Sequence, residues 1–138
     1  MIHQTRLALS TQGYRHIQDI TQAVTEIVIR SGVQTGVVHL FNIGSTAALG
    51  TIEFEPGLQT DFPDLLDRLV PPSCEYEHEQ TWHDGNGHSH LQASLLGASL
   101  CVPIAHNRPL LGTWQQIFHL ECDNKPRSRE VVVTIIGD

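Results

Sequence analysis

Long apolar runs are scarce in this chain of 138 residues. The longest, Leu95 to Ala105, is broken by Ser99 and Pro103, and it falls far short of the ~20 residues that a bilayer-spanning helix needs. The opening segment MIHQTRLALSTQG lacks the charged stretch and apolar core of an export signal. Together these absences set the expectation of a cytoplasmic protein that makes no membrane contact. Cysteine is sparse as well. Cys74, Cys101 and Cys122 are odd in number, widely spaced and without a CxxC pair, which suits reduced thiols and argues against a disulfide framework. Basic residues are few: eight Lys and Arg stand against fifteen Asp and Glu, for a formal net charge of -7. Duplex nucleic acid and anionic membrane surfaces are therefore repelled at long range, and any anionic ligand has to be small and met by a local group of donors. Repeats, low-complexity tracts and linker-like composition breaks are also missing, so the length suits one domain over residues 1–138.

What is present reads as strands with a few helices. Residues 2–9 suit a first strand. In DITQAVTEIVIRSG, Asp19 is placed as N-cap, Ile20, Ala23, Val24, Ile27 and Val28 recur at helical spacing, and Gly32 stops the helix. TGVVHLFNI and AALGTIEF read as strands around the turn Gly44, Ser45, Thr46. TDFPDLLDRLVPP suits a short helix capped by Asp61, with Pro63 in its first turn and Pro71 ending it. SLCVPIA, LLGTWQQIFHLEC and REVVVTIIG follow as strands linked by HNRP and DNKPR. In the second of these, alternation puts Trp114, Phe118, Leu120 and Cys122 on a core-facing side and Thr113, Gln115, Ile117, His119 and Glu121 on the other. In the third, Val131, Val133 and Ile135 alternate with Val132, Thr134 and Ile136, so both faces need cover from a central position in a sheet or from another subunit.

The chemistry concentrates in DGNGHSHLQASLLG, residues 84 to 97. Ser89 and Gln92 form an S-x-x-Q capping pattern that starts a helix with Ser89 as N-cap and His90 at its first position. His88 and His90 then straddle a helix start, where they can converge, next to backbone N–H groups suited to phosphate or carboxylate. Ala93, Ser94, Gly97 and Ala98 keep that helix narrow enough to pack closely on a sheet. His78, upstream in YEHEQTWHD, completes a trio that would hold zinc and leave a fourth position for water or substrate. The spacing is no closed metal motif, and hydrogen-bonded or phosphate-contacting histidines are the competing reading. His3, His16, His39, His83, His106 and His119 read as surface or satisfied core residues, with His119 set apart by its place on a mixed strand face.

The blocks GSTAALGTIEFEPGL, DLLDRLVP, YEHE, NGHSHLQASLLGASLCVPI, LGTWQQI and PRSREVVVTIIG span nearly the whole chain. Their order resembles the YjbQ-like family, also called secondary thiamine-phosphate synthases. The resemblance implies an α+β fold, an antiparallel sheet sandwich flanked by a few helices, assembled as a trimer. It also implies a weak thiamine-phosphate synthase activity that joins a pyrimidine pyrophosphate to a thiazole phosphate and releases pyrophosphate. Site residues carried over by the resemblance are His78, His88 and His90 as histidine cluster and candidate metal ligands, and Asn86, Ser45, Thr46, Glu53, Gly112, Thr113, Trp114, Gln115, Arg127 and Arg129. This chain departs from the pattern at Gly44, where many members carry histidine.

Each residue has a second reading. Ser45 and Thr46 either donate to phosphate oxygens or form a polar inter-strand turn. Glu53 is a metal ligand or general base, or a paired structural carboxylate. Arg127 and Arg129 clamp a phosphate or form intersubunit salt bridges. Trp114 reads as core, and Gly112 as a bend. Catalysis would fall to Glu53, His88 and His90, with a divalent metal, zinc before magnesium, as cofactor. A small phosphorylated or anionic metabolite is the expected ligand. The alternatives to the transferase are a metal-dependent hydrolase with zinc-bound water and Glu53 as base, and a non-catalytic trimer that binds a metal or anion.

Overall fold

The computed structural model describes residues 1–138. Strands β1 (Ile2–Ser10) and β2 (Ile17–Asp19) precede helix α1 (Thr21–Ser31), and β3 (Thr35–Ile43) and β4 (Ala47–Glu53) follow it. Three helices come next, α2 (Pro56–Leu69), α3 (Glu77–Trp82) and α4 (Gly87–Leu96). The chain closes with β5 (Ser99–Ala105), β6 (Arg108–Pro109), β7 (Gln115–Glu121) and β8 (Ser128–Gly137).

All pairings are antiparallel and fall into two sheets, one ordered β1-β8-β3-β5-β6 and the other β2-β7-β4. The alternation of β8 decides how they pack. Val131, Val133 and Ile135 are fully buried and join Val38 and Leu40 of β3, Val24 and Val28 of α1 and Ile117 of β7 in the main core. The opposite side of the same sheet carries Ile136 and Phe41 about half exposed. β8 thus has the central place its two apolar faces call for, and one of those faces is uncovered in the single chain. Against the back of the smaller sheet, Phe118, Leu120 and Cys122 pack on Leu66 of α2 and Ala93 of α4 in a second core. Gly50 on β4 admits this packing, since a Cβ there would stand 2.6 Å from the Phe118 ring.

Several local expectations need correction. The first helix begins at Thr21, one turn position later than a helix capped directly by Asp19, although the Asp19 carboxylate does accept from the Thr21 N–H at 2.9 Å and hydroxyl at 2.6 Å. Gly32 ends it in the left-handed region, φ 77°. The second helix starts at Pro56 and not near Asp61: Glu55 is the N-cap, accepting from Gly57 and Leu58 N–H, and this places Pro63 inside the helix. Ser89 is not an N-cap. Asn86 takes that position, and Ser89 is buried within the first turn. Trp114 lies outside the core, 72% exposed in the loop before β7, because the strand starts only at Gln115.

Candidate functional site

The two histidines of HSH separate. Residues two apart on a regular helix point away from each other, and with α4 already running at Gly87 both obey that rule. His90 turns toward α3, where its ring centroid lies 4.5 Å from that of His78. His88 turns inward, edge-on to Tyr14 with ring centroids 5.0 Å apart. Its hydrogen-bond partner is the Ser89 hydroxyl at 3.5 Å, it borders a cavity lined also by Tyr76, Glu79 and His83, and burial pushes its pKa down against the opposing pull of Asp67, Glu79 and Asp123. The trio expected to converge is therefore a pair, His78 and His90, with His88 held in packing. Tyr14 in turn donates to Asp67, which also accepts from Gln92 at 3.2 Å, so His88 abuts a polar network tying α2 to α4.

Carboxylates take the place left by His88. His78, Glu79 and Asp84 offer ligand atoms that all lie within 4.8 Å of one another. His78 Nε2 is 3.3 Å from Asp84 Oδ1, and one end of the Asn86 side-chain amide stands 2.8 Å from each of them. The other end of that amide lies 3.4 Å from Asp123 Oδ1. With its nitrogen toward His78 and Asp84, Asn86 donates to both, but its oxygen then faces the Asp123 carboxylate. With the amide reversed, the oxygen faces an imidazole nitrogen and a carboxylate. In either orientation a carboxylate, Asp123 or Asp84, faces the amide oxygen, and a bound cation would relieve that contact. Imidazole nitrogen, carboxylate and amide oxygen make a donor set that fits a borderline divalent cation such as zinc. Glu79 is partly committed elsewhere. Its carboxylate accepts from Tyr76 N–H at 3.2 Å and from Gly87 N–H at 2.7 Å, which joins α3 to α4. The start of α4 thus already has an internal carboxylate facing it, contrary to the expected open anion site.

Asp123 connects this cluster to the interior. Burial raises the affinity of its carboxyl for a proton, but hydrogen bonds from Arg127, the Asn124 N–H and Thr46 outweigh that and hold its pKa below the usual carboxylate value. Thr46 accepts from Arg129 Nη2 at 2.7 Å, and Arg129 also meets Glu121 through Nε at 2.8 Å and Nη2 at 2.5 Å. Glu121 accepts further from Thr11 at 2.8 Å and from the Asp123 N–H at 3.0 Å. Arg127 and Arg129 are therefore engaged with carboxylates of their own chain and do not form a two-residue phosphate clamp. Both pairs lie within one chain.

A cleft of about 290 Å³ runs between the Gly44–Ser45 turn and α4, lined also by His90, Ser94, Gly97 and Ala98. Ser45 stands exposed at its rim and Thr46 is buried behind it. Glu53, Thr113 and Gln115 belong to the other end of the smaller sheet. Glu53 pairs across from Gln115, and at ~3.3 Å per residue the length of β4 separates them from Ala47 and the cleft by roughly 20 Å. Within one chain these three take no part in the histidine site. Gln115 instead donates to Thr51 and accepts from the Gly112 N–H. Asp84, Asp123 and Glu121 were the residues missed in sequence. An acidic residue two before Asn86, and one four before Arg127, were the signals that mark the first two.

The fold and this cluster define an α+β protein with two antiparallel sheets and four helices, whose histidines and acids gather where α3, α4 and the β3–β4 turn meet. Residues 5–138 match the model of the family described as UPF0047 protein YjbQ-like. The chain belongs to that family. A UPF0047 protein of Methanothermobacter thermautotrophicus is 36% identical over 136 residues, covering 99% of this chain and 93% of that relative. YugU of Bacillus subtilis is 30% identical over 133 residues, covering 95% and 97%. Among solved structures, a protein of Sulfolobus solfataricus described as YbjQ-like and of unknown function superposes with a TM-score of 0.94 at 33% identity, covering 100% of this chain and 99% of that one. A Clostridium acetobutylicum family member gives 0.86 at 35% identity, covering 96% and 99%. No helix is long and apolar enough to cross a membrane.

Proposed function

We propose that this protein acts on a small phosphorylated metabolite in the cleft between the Gly44–Ser45 turn and α4, with a divalent cation at the His78–Asp84 edge. The observation that carries the reading is the carboxylate that faces the Asn86 oxygen in either orientation of its amide, set beside the His78–His90 pair. Zinc is favoured over magnesium because imidazole is in the donor set. His78 Nε2, Asp84 and the Asn86 amide oxygen would hold the cation, and Asp123 would set the orientation of Asn86 by accepting from its amide nitrogen. When bound, the cation neutralises charge on phosphoryl oxygens. Ser45 and Ser94 supply hydroxyl donors at the rim, and His90 is the group placed to give a proton to a departing oxygen or to take one from an incoming nucleophile.

Within that class, the family resemblance favours a weak condensation of thiamine-phosphate synthase type, in which a diphosphate leaves as a new carbon–nitrogen bond forms. Its demands are neutralisation of the leaving group and alignment of the two partners, which a cation beside a donor-rich turn would meet. A hydrolase with Glu53 as base draws less support, because Glu53 and the cleft lie at opposite ends of β4. Assembly as a cytoplasmic trimer belongs to the same reading, with the uncovered face of the larger sheet as contact surface.

Elemental analysis of tag-free protein, alongside His78→Ala, Asp84→Ala and His88→Ala, tests the cation. Stoichiometric metal lost in the first two and kept in the third supports the reading; metal lost only with His88, or none after dialysis against zinc, overturns it. Condensation of the two thiamine precursors with the loaded protein then separates transfer from hydrolysis and from binding without turnover.

A further inference from the structure

The β3–β4 turn holds donors that nothing in the chain answers. The backbone N–H groups of Gly44, Ser45 and Thr46 make no hydrogen bond, although neighbouring groups are in use: the Thr46 carbonyl accepts from Cys122 and the Gly44 carbonyl from Asn42 Nδ2. Arg129 leaves only 7% of its side chain exposed. Its Nε and Nη2 are fixed by Glu121 and Thr46, while Nη1 has no acceptor. Nη1 lies against Gly44, where a Cβ would come within 2.7 Å of it. A side chain at position 44 would have to push the guanidinium aside, and the backbone there, φ 143°, is one that residues other than glycine rarely adopt.

We propose that the Gly44–Thr46 turn and Arg129 Nη1 form a phosphoryl-binding subsite, and that Gly44 is the residue that keeps it open. Consecutive N–H groups of one turn present fixed partial positive charge to a compact oxyanion. A guanidinium held on one edge and free on the other loses little conformational freedom when it meets an oxygen. A phosphoryl group, with several oxygens on a tetrahedron, matches three backbone donors and one cationic nitrogen better than a planar carboxylate does. Asn42 supports the arrangement by holding the Gly44 carbonyl at 3.2 Å, and it is itself met by His119 Nε2 at 3.0 Å. Arg129 and Arg127 are balanced by Glu121 and Asp123, so the turn would attract through oriented donors and not through net charge. This deepens the phosphorylated-metabolite reading and rests on it for the identity of the cleft.

Inorganic diphosphate titrated into the full chain in the presence of chelator reads the subsite without the cation. Calorimetry should show saturable binding, and the side-chain ¹⁵N resonances of Arg129 should shift with the same midpoint. Gly44→Ala should weaken binding roughly tenfold or more, since a charge-assisted contact is lost. Gly32→Ala, also at positive φ but with nothing within 4 Å of its added Cβ, should leave binding unchanged. Absence of saturation in the parent protein, unchanged affinity in Gly44→Ala, unmoved Arg129 resonances, or equal competition by acetate would each overturn the proposal. His78→Ala should keep diphosphate binding under these conditions, so failure of the cation reading and failure of this one are separately visible.

Discussion

Single residues show most sharply where side-chain type misleads. Trp114 has the size and hydrophobicity of a core residue, yet it lies in the loop before β7 with 72% of its surface exposed. Trp114→Ala should therefore change the unfolding free energy by no more than about 0.5 kcal/mol, where a buried tryptophan would cost roughly 3 to 5 kcal/mol; urea unfolding decides, and a loss of several kcal/mol would place Trp114 in a contact between subunits. His119 is the reverse case. It is fully buried between the sheets, with Nε2 on Asn42 and Nδ1 without a partner. Burial is the main cause that pushes its pKa down to about 4. The folded state thus resists protonation in a range where the unfolded chain, near 6.5, accepts it. Between those two values the unfolded state binds more protons, so stability falls as pH drops, by on the order of 3 kcal/mol across the window. His119→Gln, which keeps a donor for Asn42, should lose less stability than the parent protein between pH 7 and pH 4. An identical acid profile in both would show that His119 does not carry the effect.

Elements were legible where local chemistry and packing agree. The spacing of Val24, Ile27 and Val28 marked α1, all three being buried, branched and aromatic residues marked β3 and β4, and alternation marked β8. Boundaries failed where a competing cap lay close by. Asp61 looked like a helix start, but Glu55 followed by Pro56 offers a stronger one, five residues upstream of the expected segment. Ser89 and Gln92 imitated a capping box, yet the Glu79 carboxylate already receives the Gly87 N–H and lets α4 begin earlier. That bond spans two elements and leaves no trace in short-range sequence. It also explains why the histidine site was only half legible: His78 and His90 meet, whereas their acidic companions come from turns whose approach depends on how α3 docks. Glu79→Ala removes the acceptor of both the Tyr76 and Gly87 N–H groups. It should destabilise by about 1 to 2 kcal/mol and lower cation uptake through a displaced His78, measured by urea unfolding and zinc titration; full retention of both would deny Glu79 this joining role.

At the scale of the whole molecule, the outer side of the larger sheet exposes Ile2, Phe41, Ile43 and Ile136 together. Apolar area gathered this way on one flat face suits a partner surface. Light scattering should report three times the 15.3 kDa chain mass, and Phe41→Glu should reduce it to one chain with circular dichroism unchanged; a parent protein that is already monomeric would remove the trimer from the reading. The order of the larger sheet has a consequence of another kind. β8 lies between β1 and β3, although it follows every other strand in the sequence. While the chain is being synthesised, β1 has no neighbour, and β3 has only β5, until residues 128–137 have left the ribosome. The edges and apolar faces of strands made early must stay apart during that interval, so the nascent protein depends on rapid completion, or on a chaperone's shelter, before its core can close.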